Sequence, residues 1–388
     1  MLRFTRPIYV LGATLALVAA GCTSEAAAPS PSTVDPAAPT SPTGIVTVKV
    51  GAIVNTSAPT AERDERLAQV LIAASKTAAS GAAVEIDVIR INDVGDVGSA
   101  VSSLAGRGVT VIAALCDDAT VPATVDAAVD NGMLAITACV TLPTPTLSST
   151  SPMFIDLAGL GDAPAAIAAW SSELGAERVA TIGSDLVDDV DATCANVESS
   201  LIDFDISLEA SVTFTELVDQ PETIVATASS LLAEADVIVL CALPPTAGDF
   251  VDALRLVGFD QPVVVPWFAD DQSWSQTTSG VYVIAPASRH RDDPKGQVTT
   301  LLDDLGLDAR AVDVVAADSI AMLSEAADQI GSVGSRRLAE GMRRDTTKVL
   351  SGTLALVEGG SQTTGRAYRA IEVTRGEEAF EAIVTAAG

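Results

Sequence analysis

Short runs of β-branched and aliphatic residues alternate with Ala-rich segments of helical periodicity from residue 46 onward. Strands that are apolar at every position are typical of a parallel sheet covered by helices on both faces. The predicted strands of this first series are 46–54, 84–91, 109–115 and 134–137, and the predicted helices are 61–80, 97–106 and 122–131.

A second series with the same alternation follows a Pro-rich passage at residues 143–152. Two such series predict an α/β protein with two doubly wound parallel-sheet lobes. We expect helices at 163–174, 189–201, 221–234 and 247–257, and strands at 178–182, 207–214, 236–241 and 262–265.

The C-terminal third departs from this alternation. Residues 281–284 predict a strand, 310–343 are mostly helical in pattern, and 352–357 with 367–373 predict a hairpin. A chain that returns to both lobes near its end would join them by several connections, which is typical of a hinge.

Ligands of open parallel sheets bind beyond the carboxyl ends of the strands. Two such edges that face each other would enclose a cleft. The segments at these edges are 55–60, 116–120, 138–141, 183–189, 242–246 and 267–271.

The N-terminus is typical of an exported protein, with Arg3 and Arg6 ahead of an apolar run at 8–20. This run is shorter than the about 20 residues that a membrane-spanning helix needs, and it fits a signal peptide at 1–21. The segment Val18-Ala19-Ala20-Gly21-Cys22 resembles a bacterial lipobox, although Ala19 stands where the pattern prefers Leu. We expect Cys22 to be acylated; the alternative is an ordinary signal cleaved nearby, with Cys22 incidental.

Residues 22–45 form a Pro/Ala/Ser-rich tether, with five prolines and no apolar periodicity after Cys22. A segment of this composition is not expected to fold. In polyproline-like form it could hold a domain up to about 70 Å from a bilayer. The protein is therefore expected to be exported and held at the cell membrane, on its extracytoplasmic side, by a lipid anchor.

Charge narrows the classes of partner. The chain has 22 Lys and Arg against 51 Asp and Glu, a net charge of −29. Removal of Arg3 and Arg6 with the signal leaves 20 − 51 = −31. A field of this sign repels phosphate backbones, so nucleic acid is not an expected partner.

The residue types also disfavour catalysis. His290 is the one histidine, and neither a Walker loop nor a Gly-x-Ser-x-Gly elbow is present. The acidic run 185–191 could attract calcium, but it lacks the glycine and spacing of an EF-hand loop, and we favour a solvated helix start. We expect no catalytic residue, metal or cofactor; a carboxylate pair for glycoside hydrolysis remains the enzymatic alternative.

Several segments resemble the leucine/isoleucine/valine-binding protein family, the substrate-binding components of ATP-driven importers. Leu115-Cys116-Asp117-Asp118-Ala119-Thr120-Val121-Pro122-Ala123 is similar to the family's Leu-Cys-Ser-Ser-Ser-Thr-x-Pro-Ala segment. Residues 48–53 resemble its opening strand, 136–143 its Ile-Ser-Pro-x-x-Thr-x-Pro turn and 364–368 its C-terminal hairpin. These segments occur in the same order as in the family, and the similarity covers nearly all of residues 46–375.

The resemblance implies the type I periplasmic-binding fold, with two lobes, three crossovers and hinge closure on a small ligand. The crossovers would fall near Phe154, Tyr282 and Gly352. Lobe 1 would then comprise 46–154 plus 283–351, and lobe 2 would comprise 155–282 plus 352–388.

The resemblance also implies contact positions, which in this chain depart from those of amino-acid binders. Asp117 replaces a carboxylate-binding hydroxyl and would repel a carboxylate, whereas Val140 and Thr141 retain the second carboxylate contact. Trp267 stands where the family has an acidic partner for the ammonium group. The full set of expected ligand-binding positions is Thr60, Asp117, Asp118, Val140, Thr141, Asp188, Leu243 and Trp267.

Acidic and aromatic residues at the predicted edges favour a polar or cationic small molecule, since an indole face attracts a cation. The alternative is that these Asp residues only cap helices or lie in solvated loops. The residues concerned are Asp117, Asp118, Asp188, Asp189, Asp270, Asp271, Trp267, Phe268 and Trp274.

Four cysteines remain after Cys22, and by count alone they allow three disulfide connectivities. Cys116 and Cys139 end neighbouring predicted strands, about 4.8 Å apart, so we predict that they pair. The second predicted pair is Cys194 with Cys241.

These expectations together describe a solute-binding lipoprotein that delivers a small ligand to the permease of an ABC importer. The alternative is a sensory or interaction lipoprotein that keeps the fold without transport.

Overall fold

The computed structural model contains two central sheets and a small third sheet. It describes residues 46–58, 60–77, 81–117, 119–137, 151–157, 163–185, 188–215, 219–268, 274–288, 292, 297–303, 310–344, 347–356, 363–364 and 367–384.

The first sheet has five parallel strands in the order β2-β1-β3-β4-β5. Its central strands are buried at every position, which explains their unbroken apolar sequence. The strands are β1 Thr47–Asn55, β2 Ala83–Ile91, β3 Val111–Ala114, β4 Leu134–Thr137 and β5 Phe154–Asp156, and the helices between them are α1 Ala61–Thr77, α2 Val97–Gly106 and α3 Thr120–Asp130.

The second sheet has seven strands in the order β15-β14-β10-β9-β8-β6-β7. Its parallel part is formed by β6 Arg178–Ser184, β7 Ser207–Phe214, β8 Val237–Cys241, β9 Val263–Pro266 and β10 Ser279–Ala285. Its helices are α4 Ala163–Glu173, α5 Asp188–Leu201, α6 Pro221–Leu232 and α7 Thr246–Leu256. Trp170 of α4 is buried against the ring of Tyr282, as expected of a core residue.

An antiparallel hairpin of β14 Tyr368–Thr374 and β15 Glu377–Val384 completes the second sheet. Its turn requires positive φ at Arg375 (56°) and Gly376 (76°). A Cβ on Gly376 would lie 2.8 Å from the carbonyl oxygen of Ser275, so the position also needs the small residue.

The C-terminal helices pack on the first sheet. They are α8 Gln297–Asp303, α9 Ala311–Ile330 and α10 Ser335–Arg344. Ser324 Oγ of α9 donates to the carbonyl of Ala82 at 2.7 Å, and Ser335 Oγ of α10 donates to the carbonyl of Thr110 at 2.8 Å. The chain thus returns to the first lobe after β10, before β14 takes it back to the second sheet.

Strand pairing shifts two of the expected lobe limits. Ile155 and Asp156 pair with β4 in the first sheet, and residues 283–285 pair with β9 and β14 in the second. The lobe limits 154/155 and 282/283 therefore fall inside strands, and sheet membership changes after Asp156 and after Ala285.

The predicted hairpin of 352–357 with 367–373 is wrong. Strand β12 Gly352–Leu356 lies between β11 Thr347–Val349 and β13 Thr363–Thr364 in the small third sheet, whereas β14 pairs with β10 and β15. The cause is that the two predicted strands belong to different sheets, which local sequence does not reveal.

Candidate ligand-binding cleft

Asn55 and Asp117 meet at the carboxyl edge of the first sheet. Asn55 ends β1 and Asp117 follows β3; both are buried, and Asn55 Nδ2 donates to Asp117 Oδ2 at 3.2 Å. Asn55 Oδ1 accepts the backbone N–H of Ser57 at 3.1 Å. The amide therefore holds the Asp117 carboxylate in a fixed position at this edge.

The backbone of Asp117 also begins α3. Its carbonyl oxygen accepts the N–H groups of Thr120 (3.0 Å) and Val121 (2.9 Å) and the hydroxyl of Thr120 (3.2 Å). The Asp117 side chain is therefore carried by a helix start, and not by a long loop.

The start of α1 packs against the same edge. Asp64 is fully buried, and its Oδ1 accepts the N–H of Cys116 at 2.7 Å. Thr60, an expected ligand-binding residue, is also buried, and its Oγ1 has no hydrogen-bond partner among the described residues. The Thr60 hydroxyl is thus available at the edge for a further contact.

Thr137 and Asp156 form a second polar pair at this edge, which the sequence pattern did not indicate. They end β4 and β5, both side chains are buried, and Thr137 Oγ1 donates to Asp156 Oδ1 at 2.7 Å. The first lobe therefore places Asp64, Asp117 and Asp156 at one sheet edge.

In the second lobe, a disulfide joins Cys194 of α5 to Cys241 at the end of β8, with a Cα–Cα distance of 6.0 Å. This is the predicted pair. Leu243, an expected contact residue, follows Cys241 and is half-buried, and the Pro244–Pro245 peptide bond after it is cis. The disulfide ties this turn to the neighbouring helix.

Trp267 and Phe268 follow β9 at the carboxyl edge of the second sheet. Trp267 is 4% exposed and Phe268 is 2% exposed. Arg63 of α1 covers them from the first lobe: its Nη2 donates to the carbonyl of Phe268 at 3.1 Å, and its Cζ lies 5.9 Å from the centroid of the Trp267 ring. The carboxyl edges of the two sheets therefore face and touch each other.

Trp274 lies at the opposite edge, contrary to the expectation that it stands beside the cleft. Its Nε1 donates to Glu378 of β15 at 3.2 Å, next to the turn at Gly376. Because β14 runs antiparallel to β10, this turn adjoins the amino end of the parallel strands.

Several expected residues fall outside the structural description. Cys116 is disulfide-bonded, but its predicted partner is not among the described residues. Residues outside the description are Cys22 with the rest of 1–45, Asp118, Cys139, Val140, Thr141, Asp270, Asp271 and His290; the side chains of Asp188 and Asp189 are also outside it.

Within the described part of the chain, no group of three or more His, Cys, Asp or Glu side chains is arranged to hold a metal ion. Within the same residues, no helix has both the length and the apolar character that a membrane span requires.

Two α/β lobes, several chain crossings and facing carboxyl edges define a two-lobed solute-binding protein of type I. A model of the periplasmic binding protein family matches residues 47–378. The chain belongs to this family, whose members bind solutes and are not enzymes. No curated relative matches the chain in sequence.

Solved structures with the same fold include solute-binding proteins of ABC transporters. A leucine-binding protein from Thermotoga maritima has a TM-score of 0.70 at 17% identity, covering 87% of this chain and 98% of the other. A protein from Rhodopseudomonas palustris in complex with 3,4-dihydroxybenzoic acid has a TM-score of 0.72 at 18% identity, covering 88% of this chain and 98% of the other. The branched-chain amino acid binding protein from Streptococcus pneumoniae in complex with isoleucine has a TM-score of 0.67 at 17% identity, covering 87% of this chain and 99% of the other.

Proposed function

We propose that the chain is an extracytoplasmic lipoprotein that captures a small polar or amino-acid-like ligand between its lobes and delivers it to an ABC importer. The observation that carries this proposal is the juxtaposition of the two carboxyl edges, with Asn55 and Asp117 on one side and Trp267 and Phe268 on the other. Related structures hold isoleucine or dihydroxybenzoic acid, so ligand class varies within the fold.

The proposed contacts on the first lobe are Thr60 and Asp117. The Thr60 hydroxyl is buried without a partner among the described residues, and a ligand atom that bonds to it would offset the cost of burying it. Asn55 holds the Asp117 carboxylate in place. On the second lobe the proposed contacts are Asp188, Leu243 and Trp267, and Asp118, Val140 and Thr141 complete the set.

A thermal-shift screen of the exported protein tests capture. Its probes are amino acids, aromatic carboxylates, amides, polyamines and quaternary amines. A ligand at 100 times its dissociation constant adds about 2.7 kcal/mol to the free energy of unfolding. No stabilisation by any of these classes would contradict the proposal of a small polar ligand.

The role of Asp117 is tested with the ligand that the screen finds. Asp117→Asn keeps the size of the side chain and removes its charge, and Asp130→Asn, at the exposed end of α3, is the matched control. We expect weaker binding of a cationic ligand by the first variant and unchanged binding by the second. Equal affinity in both variants would show that Asp117 does not contact the ligand.

Anchoring at Cys22 is tested by fractionation. The basic residues, apolar run, lipobox-like segment and Pro-rich tether support acylation. We expect the wild-type chain in the membrane fraction, labelled by a fatty-acid analogue, and Cys22→Ala unlabelled. A wild-type chain that is exported without label would exclude the anchor.

A sensory or interaction lipoprotein is the second candidate, favoured by one observation: Arg63 of the protein itself covers Trp267. Solute uptake separates the two functions. Deletion of the gene would abolish uptake of the identified ligand if the protein transports it, and would leave uptake unchanged if the protein only senses it.

A further inference from the structure

Arg63 spans the two lobes. It lies in the first turn of α1, in the first lobe, and its guanidinium contacts the segment after β9, in the second lobe. Among the described residues the contact consists of a hydrogen bond of 3.1 Å to the carbonyl of Phe268 and a cation–π contact with the Trp267 ring, whose centroid lies 5.9 Å from Cζ.

The surface that receives the guanidinium is fixed in place. The rings of Trp267 and Phe268 pack edge to face at 5.8 Å with an interplanar angle of 72°, and both side chains are buried. An indole face and a carbonyl oxygen together offer what a planar cation with several N–H donors needs.

The helix that supplies the guanidinium is also anchored. Asp64, the next residue, accepts the N–H of Cys116, and Arg66, one turn further on, pairs with buried Asp313 of α9 at 2.5 Å. Arg63 therefore moves with the first lobe as a body, and its contact with the second lobe breaks when the lobes part.

We propose that Trp267 and the carbonyl of Phe268 form a guanidinium-binding subsite on the second lobe, and that Arg63 occupies this subsite as a built-in latch between the lobes. The inference rests on the cleft of the proposed function. In this inference the Arg63 guanidinium already occupies the indole face of Trp267. A cationic ligand would therefore have to displace Arg63 to reach the indole.

The size of the effect follows from the contact. A partly desolvated cation–π pair shifts an equilibrium by about threefold to thirtyfold at room temperature. Loss of Arg63 should therefore move the equilibrium between closed and open lobes toward the open form by this factor, without any ligand.

The test measures the distance between the lobes in the full exported chain. Nitroxide labels are attached to the variants Ser102→Cys in α2 and Ser230→Cys in α6, both at exposed positions. Double electron–electron resonance then gives the distribution of distances between the two labels. The variants are Arg63→Ala and Arg63→Gln, the latter in case alanine prevents folding. Arg90→Ala is the matched control, since Arg90 is an exposed arginine that pairs with Glu65 within the first lobe.

We expect longer distances in the Arg63 variants and wild-type distances in Arg90→Ala. Methylguanidinium at millimolar concentration should bind the vacated subsite of Arg63→Ala and raise its Tm more than methylammonium does, whereas the wild type, whose subsite Arg63 already fills, should respond less. Wild-type distances in both Arg63 variants, or equal lengthening in Arg90→Ala, would overturn the latch. An equal response of Arg63→Ala to the two cations would overturn the subsite.

This outcome is independent of the proposed function. The distances in the wild type and the variants are measured without the transported ligand, so a failed ligand screen leaves them interpretable. Unchanged distances would likewise leave ligand capture and import untouched.

Discussion

The pair Arg369 and Asp292 joins segments that connect the lobes. Arg369 Nε lies 2.9 Å from Asp292 Oδ2, and its Nη2 donates to Asp292 Oδ1 at 2.9 Å and to the carbonyl of Ser351 at 2.8 Å. The two side chains are only 5% and 6% exposed. Asp292 Oδ2 also accepts the N–H of Ser288 at 2.7 Å, so one ion pair links the chain after β10 to β14 and to the start of β12.

Arg369→Met should therefore destabilise the protein strongly. The substitution leaves the Asp292 carboxylate buried without its cation, and breaking a buried pair from one side costs about 3–5 kcal/mol. With about 2.1 cal/mol/K of unfolding entropy per residue, a domain of this size should lose roughly 4–7 °C in Tm.

Urea unfolding followed by circular dichroism measures the loss in the free energy of unfolding. Arg178→Met is the matched control, because Arg178 and its partner Glu234 are 42% and 63% exposed and solvent screens such pairs, so they contribute little to stability. Adding Asp292→Asn to Arg369→Met should recover part of the loss, since Asn keeps an acceptor for the Ser288 N–H and removes the unpaired charge. If Arg369→Met costs no more than Arg178→Met, the pair does not stabilise these connections.

Three further variants test separate contacts. Cys194→Ser opens a disulfide that spans 47 residues and should cost up to about 4 kcal/mol, and reductant should then remove less stability from this variant than from the wild type in urea unfolding. The hydrogen bond from Arg90 lowers the pKa of Glu65 below its usual 4.5, so the stability that Arg90→Ala removes at pH 7 should fade as the pH drops below 4.5 in unfolding series. Gly376→Ala, at positive φ, should lower Tm, whereas Gly106→Ala in α2, with open space around it, should not.

The two-lobed α/β fold was predictable because its strands are buried on both faces. Burial at every position produces unbroken apolar runs, and these stand out against the Ala-rich amphipathic helices. The Cys194–Cys241 pair was also accessible, since Cys241 ends a predicted strand and Cys194 lies in the helix three elements earlier. The arrangement of 352–357 and 367–373 was not accessible, because these strands belong to different sheets.

The candidate site was predictable in outline only. Strand ends located Asp117 and Trp267, but Asp64 and Asp156 carry no signal in a chain with 51 acidic residues. The contact between Arg63 and Phe268 joins residues 205 positions apart, and no local pattern encodes it. Its only trace in the sequence is a basic residue in the first turn of a helix, where the helix dipole favours acidic ones.

The net charge of −29 also explains why composition was a poor guide to this cleft. At physiological ionic strength the Debye length is about 8 Å, so exposed carboxylates farther away contribute little to the potential at a bound ligand. The charges that matter are those within the cleft, and there Asp117 is held by Asn55 while Arg63 covers the indole that would otherwise attract a cation. Ligand charge therefore depends on the balance between Asp117 and Arg63. A cationic ligand should bind Asp117→Asn more weakly and Arg63→Gln more tightly than the wild type, and an anionic ligand should show the reverse. Affinity changes of the same sign in both variants would contradict this balance.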